Sequence, residues 1–158
     1  MNLKNIKKYT PGFNIHDIQK KYNLKEVIKL ASNENPFISK DVLSFIKKSN
    51  HKLNLYPDSN PDELHKSLAN TVGHRMTSNN IILGNGSNEI LEFIVRANVD
   101  NKSEVIIPKH SFLVYEIISK LQNAKIIVTK PDNDKASENY LGINLESVIK
   151  KIKKKTKL

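Results

Sequence analysis

Two closely spaced glycines followed by short polar residues form the segment of this sequence with the clearest chemical content. Residues 84–89 read GNGSNE, and they lie between the apolar residues 81–83 and the start of an amphipathic pattern. The free N–H groups and the positive dipole end of a helix N-terminus attract anions. The glycines let the backbone approach a ligand closely, and Ser87 and Asn88 add side-chain donors. This spacing is compatible with a site for one phosphate group.

The same segment departs from three familiar motifs. A dinucleotide-binding fingerprint needs Gly or Ala at its sixth position, where this sequence has Glu89. A Walker A loop needs Lys followed by Ser or Thr after its second glycine, and neither follows Gly86. A serine nucleophile elbow needs G-x-S-x-G, which Glu89 also breaks. Taken alone, the segment is better explained as a glycine turn and a capped helix than as a ligand site.

Metal and thiol chemistry find little support in the composition. The sequence contains no Cys, which excludes disulfide frameworks, Cys-based zinc sites, iron–sulfur clusters and thiol nucleophiles. Its five His show no metal-ligand spacing such as HxH or HExxH. We therefore predict no metal site. The histidines are His16, His51, His65, His74 and His110.

The chain is strongly basic, with a formal net charge of +10. Residues 1–29 contain 7 basic and 2 acidic groups, and residues 125–158 contain 9 basic and 4 acidic groups. Residues 30–124 contain 10 basic and 10 acidic groups, so the net positive charge lies at the two ends. Only Arg75 and Arg96 are arginine, and the aromatic residues do not alternate with the lysines. Nucleic-acid readers favour Arg and aromatic stacking platforms, so we predict no nucleic-acid partner. A basic module that uses the Lys-rich ends is the competing hypothesis, and it requires salt-dependent binding.

The length and hydropathy describe an ordinary globular protein. A chain of 158 residues and 18.0 kDa suits one domain. No apolar run approaches the roughly 20 residues that a membrane-spanning helix needs. No apolar segment follows the Lys-rich residues 1–9, as one would in a signal peptide. We therefore predict a cytoplasmic protein that does not enter a membrane.

The hydrophobic pattern alternates between short apolar runs and amphipathic helices, which predicts an α/β fold with a parallel sheet. From residue 81 onward the predicted order is β-α-β-α-β. Strands are predicted over residues 27–30, 81–83, 104–107 and 125–129. Helices are predicted over residues 40–48, 61–72, 89–97, 111–121 and 144–152.

Residue types at the ends of these helices support the predicted boundaries. Ser39 can cap the first of them, and Pro61 opens the next, where its missing N–H costs nothing. Gly73 ends that helix, and Asn123 tolerates the left-handed backbone of a cap before residues 125–129.

Five ordered motifs together resemble the histidinol-phosphate aminotransferases. The glycine turn lies in IILGNGSNE, which is similar to the family's IILGNGSDE, with Asn88 where Asp is common. LYPD resembles the RYPD turn, with Leu55 where Arg is usual, and PKHSFLVY resembles the PTFSxY segment. LASNENP resembles the family's entry motif of the same letters, and YTPG resembles PYxPG. In chain order, YTPG occupies residues 9–12, LASNENP residues 30–36, LYPD residues 55–58, IILGNGSNE residues 81–89 and PKHSFLVY residues 108–115.

This resemblance implies pyridoxal 5′-phosphate (PLP) as cofactor and a homodimer as the assembled form. In that family the glycine turn takes the cofactor phosphate, which implies that Gly86, Ser87 and Asn88 bind it. The aromatic residue after P-x-x-[ST] stacks on the pyridine ring, which implies Phe112. The Tyr of the YPD turn reaches the phosphate of the other subunit, which implies Tyr56.

The resemblance also implies where substrate binds and which part of the family fold is present. Tyr9, Asn33 and Asn35 are expected near the substrate. The implied fold is the first, incomplete part of the PLP-binding large domain of a fold-type-I aminotransferase, over residues 39–158. It follows an N-terminal helical arm and substrate-side segment over residues 1–38.

The implied reaction is transamination between histidinol phosphate and 2-oxoglutarate, which gives imidazole-acetol phosphate and glutamate in histidine biosynthesis. No lysine matches the family's Schiff-base position, so this chain contains no catalytic residue of its own and is expected to be inactive alone. Two alternatives stay open: a fragment of an enzyme similar to threonine-phosphate decarboxylase, and a non-catalytic remnant.

Overall fold

Six α-helices, one 3-10 helix and two β-strands are assigned among the residues that the computed structural model describes, namely residue 6, residues 8–49 and residues 54–158. In chain order the helices and strands are α1 (Ile15–Tyr22), α2 (Lys40–Ser49), α3 (Asp62–Val72), the 3-10 turn Ser78–Asn80, α4 (Ser87–Asn98), β1 (Glu104–Pro108), α5 (Leu113–Leu121), β2 (Lys125–Thr129) and α6 (Leu145–Ile149). The described residues from 10 to 81 form one compact unit, and those from 82 to 158, with the described residues before 10, form the other.

Helix boundaries in the first unit follow from capping residues. The Asn14 side chain accepts a 2.8 Å hydrogen bond from the Asp17 N–H at the start of α1, and Asn23 ends that helix in the left-handed region. The Ser39 hydroxyl accepts from the Val42 N–H at 3.4 Å, as the sequence predicts for α2. Helix α1 lies within the predicted N-terminal arm, whose boundary at residue 38 stays a prediction.

Helix α3 confirms the predicted stop and start signals. Pro61 occupies the N-cap, and Asp62 and Glu63 place negative charge in the first turn, where it is favourable. Gly73 ends the helix with φ 69°, a conformation that is easy only for glycine. Asn123 after α5 likewise adopts φ 57°, which confirms the predicted left-handed cap.

The second unit is built around a parallel β-α-β motif. Strand β1 pairs with β2 from Glu104 opposite Lys125 to Pro108 opposite Thr129, and α5 connects them. Helices α4 and α5 pack on these strands around a small core. Burying each large aliphatic side chain contributes roughly 1.5–3 kcal/mol. The buried core residues are Val95, Val99, Val105, Ile107, Ile118 and Ala124.

The end of the chain runs alongside β1 on the side away from β2. The Lys155 carbonyl accepts from the Glu104 N–H at 2.8 Å, and the Lys157 N–H donates to the Glu104 carbonyl at 3.0 Å. The Leu158 carbonyl accepts from the Ile106 N–H at 2.8 Å. These bonds and a parallel bridge between Glu104 and Thr156 give β1 a neighbour on each side.

Two of the predicted strands are absent. Residues 27–30 and 81–83 belong to no helix or strand, and Ile28 and Ile82 expose 87% and 66% of their surface. A strand exists only where a neighbour accepts and donates its backbone hydrogen bonds, and these segments have no such neighbour among the described residues. The predicted helix over residues 144–152 is also shorter, since α6 ends at Ile149.

Candidate functional site

The predicted phosphate turn lies immediately before α4, a helix of 12 residues. Gly86 is the N-cap, with φ 81° and ψ 173°, a backbone conformation open to glycine and strained for other residues. No side chain caps the helix, and a Cβ placed on Gly86 would meet nothing within 4 Å. The first N–H groups of α4 therefore face an open cradle, which is bounded by the exposed residues Ser87 and Asn88.

Glu89 holds this turn in place. Its Oε2 accepts hydrogen bonds from the Asn85 N–H at 2.6 Å and from the Asn85 side-chain amide at 3.1 Å. Inside the turn, the Gly86 N–H donates to the Gly84 carbonyl at 2.8 Å. A Cβ on Gly84 would lie 2.8 Å from Cδ1 of Ile90 and 3.0 Å from Oε2 of Glu89, so Gly84 permits the close approach of loop and helix. This role of Glu89 was not predicted from the sequence, although a Glu at the third helical position favours a bond back to the residues that precede the helix.

Phe112 is the N-cap of α5 and the centre of an aromatic cluster. Its ring centroid lies 6.3 Å from that of Tyr9 at an interplanar angle of 88°, and 6.0 Å from that of Tyr115 at 87°. Both are edge-to-face arrangements, which aromatic pairs prefer. Phe112 is 43% exposed, so part of its surface is available to a ligand. The contact with Tyr115 was not predicted from the sequence, although its position three residues after Phe112 at the start of a helix favours it.

A cavity of about 270 Å³ adjoins Phe112 and Tyr115. Ser111 is one of its lining residues, and the Ser111 hydroxyl donates to the Pro108 carbonyl at 2.6 Å. His110, the residue before Ser111, also lines the cavity and has φ 71°, a left-handed conformation. The remaining lining residues are Lys109, Leu141, Gly142 and Ile143.

The other predicted site residues belong to the unit formed by residues 10–81. Tyr56 is fully exposed. Asn33 has φ 49°, and the Asn35 side chain accepts a 3.0 Å hydrogen bond from the Phe37 N–H. The structure thus brings Gly86, Ser87 and Asn88 into one turn, and it brings Tyr9 to Phe112. The roles of all these residues toward cofactor and substrate stay predictions.

The described residues contain neither a grouped set of metal ligands nor a membrane-spanning helix. No three His, Asp or Glu side chains of that part of the chain are grouped as metal ligands would be. None of its helices has the length and apolar character needed to cross a membrane.

The sequence profile of the family "aminotransferase class I and II" matches residues 25–158. The chain belongs to this family. The resemblance that the sequence motifs indicate is therefore confirmed. Most of the chain is matched, including the glycine turn, both strands and the aromatic segment.

Two curated relatives of this aminotransferase chain are named histidinol-phosphate aminotransferases. The histidinol-phosphate aminotransferase of Desulfotalea psychrophila is 42% identical over 116 residues, which cover 73% of this chain and 30% of the relative. That of Campylobacter jejuni serotype O:2 is 37% identical over 129 residues, covering 81% of this chain and 35% of the relative. The chain thus spans about a third of the length of these relatives.

Solved structures of aminotransferases share the fold of the chain. An aminotransferase from Escherichia coli superposes with TM-score 0.73 at 18% identity, over 98% of this chain and 40% of its own. The histidinol-phosphate aminotransferase from Clostridium acetobutylicum gives TM-score 0.61 at 30% identity, over 77% and 33%. Cystalysin from Treponema denticola, whose structure contains PLP, superposes with TM-score 0.68 at 20% identity. The match covers 95% of this chain and 38% of cystalysin. The predicted partial fold-type-I aminotransferase fold is confirmed.

The residues of this aminotransferase chain fit the phosphate group of PLP. The cradle at Gly86 is free of side chains, the helix behind it is uncapped, and Ser87 and Asn88 supply polar side chains at its rim. A phosphate accepts hydrogen bonds from such N–H and O–H groups, and it is stabilised by the positive end of a helix dipole.

Proposed function

We propose that the chain is the N-terminal, cofactor-phosphate-binding part of a PLP-dependent aminotransferase that acts on histidinol phosphate. The amino group would pass to 2-oxoglutarate, which gives imidazole-acetol phosphate and glutamate. The observation that carries the proposal is the open, uncapped N-terminus of α4 at Gly86, in a chain of the aminotransferase family. The names of the curated relatives support the substrate, and they favour this reaction over that of a threonine-phosphate decarboxylase.

The residues of the glycine turn bind and orient the cofactor. The first N–H groups of α4, the Ser87 hydroxyl and the Asn88 amide donate hydrogen bonds to its phosphate, while Phe112 packs against its ring. Glu89 keeps the turn in the shape that presents these donors, through its bonds to Asn85. When bound, PLP supplies the electron sink for moving an amino group between an amine and a 2-oxo acid.

The remaining residues concern the substrate and the assembly. Tyr9, Asn33 and Asn35 contact the phosphorylated amino alcohol, and Tyr56 reaches the cofactor phosphate of a second subunit in a cytoplasmic homodimer. The complete exposure of Tyr56 is consistent with a role toward a partner. The lysine that holds the cofactor covalently matches none in these 158 residues, so we expect no transamination by this part of the fold alone.

Binding of pyridoxine 5′-phosphate to the 158-residue chain tests the proposal. This compound keeps the ring and phosphate of PLP but lacks its aldehyde, so it cannot react with surface lysines. We expect Ser87→Ala to weaken binding by about tenfold in titration calorimetry, the effect of losing one hydrogen bond to a charged group. Inorganic phosphate should compete with the ligand.

Ser67→Ala is the matched control, because Ser67 is an exposed serine of α3 outside the turn. It should bind like the unaltered chain. Equal affinity in the Ser87 and Ser67 variants, or binding that inorganic phosphate does not compete with, would show that the cofactor phosphate does not bind at this turn.

A further inference from the structure

We propose that Tyr115 is a positioning residue that fixes the plane of the Phe112 ring, and thereby orients the surface on which the cofactor ring packs. The inference rests on the proposed function for the ligand, but the contact that carries it is present in the protein itself. Tyr115 has no role in the assignments made above.

The geometry of the cluster restrains Phe112 from two sides. The rings of Tyr9 and Tyr115 lie nearly perpendicular to it, at 88° and 87°, with centroids 6.3 Å and 6.0 Å away. Phe112 is 43% exposed, and a half-exposed aromatic side chain without such contacts is free to change rotamer. Two edge-to-face neighbours therefore leave the ring one preferred orientation.

Tyr115 is the better anchored of the two neighbours. It is the third residue of α5, and its N–H donates to the Phe112 carbonyl at 3.1 Å. Its side chain also lines an apolar cavity of about 250 Å³ with core residues Ile107 and Ile118. Tyr115 thus belongs to a helix whose residues Val114 and Ile118 take part in the core packing, whereas Tyr9 lies outside any helix or strand.

The ring of Tyr115, and not its hydroxyl, makes the contact. Its hydroxyl makes no hydrogen bond to the described residues, while the ring takes part in the pair with Phe112. Tyr115→Phe should therefore preserve the positioning, and Tyr115→Leu should remove it. This difference separates an aromatic support from a hydroxyl that acts on substrate.

Titration with two ligands tests the inference. We expect Tyr115→Leu to weaken binding of pyridoxine 5′-phosphate by roughly three- to tenfold, the value of one aromatic pair, with binding of inorganic phosphate unchanged. Tyr115→Phe should bind both ligands like the unaltered chain. Phe112→Leu should weaken the binding of pyridoxine 5′-phosphate and leave the binding of inorganic phosphate unchanged. Tyr22→Leu, which removes an exposed tyrosine of α1, is the control for loss of a surface aromatic.

A second measurement follows the ring without any ligand. The NMR signals of the Phe112 ring, identified by their loss in Phe112→Leu, should shift in Tyr115→Leu and stay in place in Tyr115→Phe. The inference is overturned if Tyr115→Leu binds the pyridoxine ligand normally, if it weakens inorganic phosphate equally, or if Tyr115→Phe is as damaging. If the unaltered chain binds no pyridoxine ligand while the ring signals respond as expected, the proposed function is wrong, and so is the role of Tyr115 in orienting a cofactor surface. The contact between Tyr115 and Phe112 would still be confirmed.

Discussion

Oε2 of Glu89, in the first turn of α4, lies 2.6 Å from the backbone nitrogen of Asn85, so the helix holds the loop that precedes it. We expect Glu89→Ala to lower the free energy of unfolding by about 1 kcal/mol, the net contribution of a typical intramolecular hydrogen bond. The same variant should bind pyridoxine 5′-phosphate more weakly, because the turn loses its shape. Chemical denaturation and calorimetric titration measure the two effects.

Glu89→Gln separates the effect of the hydrogen bond that shapes the glycine turn from the effect of the negative charge of Glu89. The amide oxygen can still accept from Asn85, while the negative charge in the turn proposed to bind the phosphate is removed. We expect this variant to fold like the unaltered chain and to bind the anionic ligand more tightly, since like charges repel. If the Gln and Ala variants behave alike, the bond to Asn85 does not shape the turn.

Gly86→Ala should destabilise the chain through backbone strain alone. Gly86 has φ 81° and ψ 173°, and its Cβ would contact nothing within 4 Å, so no steric term is added. The expected cost is about 1–3 kcal/mol in denaturant unfolding. Gly12→Ala is the matched control, since a Cβ there meets only ordinary contacts at 3.8 and 4.0 Å. Equal stability of the two variants would contradict the assigned turn geometry.

Tyr56 should influence the cofactor site only in an assembled form. Because its side chain is fully exposed, Tyr56→Ala should leave the thermal unfolding midpoint of the single chain unchanged. We expect the affinity for pyridoxine 5′-phosphate to rise with chain concentration and this rise to disappear in Tyr56→Ala. Tyr22→Ala, at another exposed tyrosine, should retain the rise. An affinity independent of concentration in the unaltered chain would exclude the contribution from a partner.

Acid should weaken the fold partly through Glu104. The Lys125 ammonium, whose Nζ lies 3.0 Å from Oε1 of Glu104, holds the pKa of that carboxyl below its ordinary value, although burial acts in the opposite direction. The charges of Lys153 and Lys155 add smaller contributions. A carboxyl with a lowered folded-state pKa stabilises fully above its unfolded pKa of about 4.3, and this stabilisation is lost as the pH falls through the folded value.

The pH experiment compares Glu104→Gln with the unaltered chain. The difference in unfolding free energy should be constant from neutral pH to about pH 5 and should shrink below about pH 4. Glu138→Gln, at an acidic residue that makes no ion pair with the described residues, should show no such change. A difference that does not depend on pH would mean that the ion pair with Lys125 contributes nothing.

Sequence reasoning succeeded where local chemistry decides the structure. Gly73 and Asn123 end their segments with positive φ because Gly and Asn tolerate it, and Pro61 can be the N-cap of α3 because no N–H is needed there. Strands β1 and β2 were also predicted correctly, as short apolar runs on either side of an amphipathic helix.

The failures concern non-local partners. Residues 27–30 and 81–83 have strand-like composition, but composition does not reveal whether a neighbouring strand is present to bond with them. In the candidate site, the glycine turn was readable from the types of its residues. The contact of Tyr9 with Phe112 was not, because it joins residues that are distant in sequence.

The hydrogen bonds between β1 and residues 155–158 have a kinetic consequence. The amide protons of Glu104 and Ile106 are covered by residues 155–158, which belong to no named helix or strand, and such a segment opens more readily than a packed helix. Their exchange with deuterium should therefore be governed by detachment of residues 155–158 from β1. Removing Leu158 alone should accelerate amide exchange at Ile106 more than at Glu104, because only the Ile106 N–H donates to the Leu158 carbonyl.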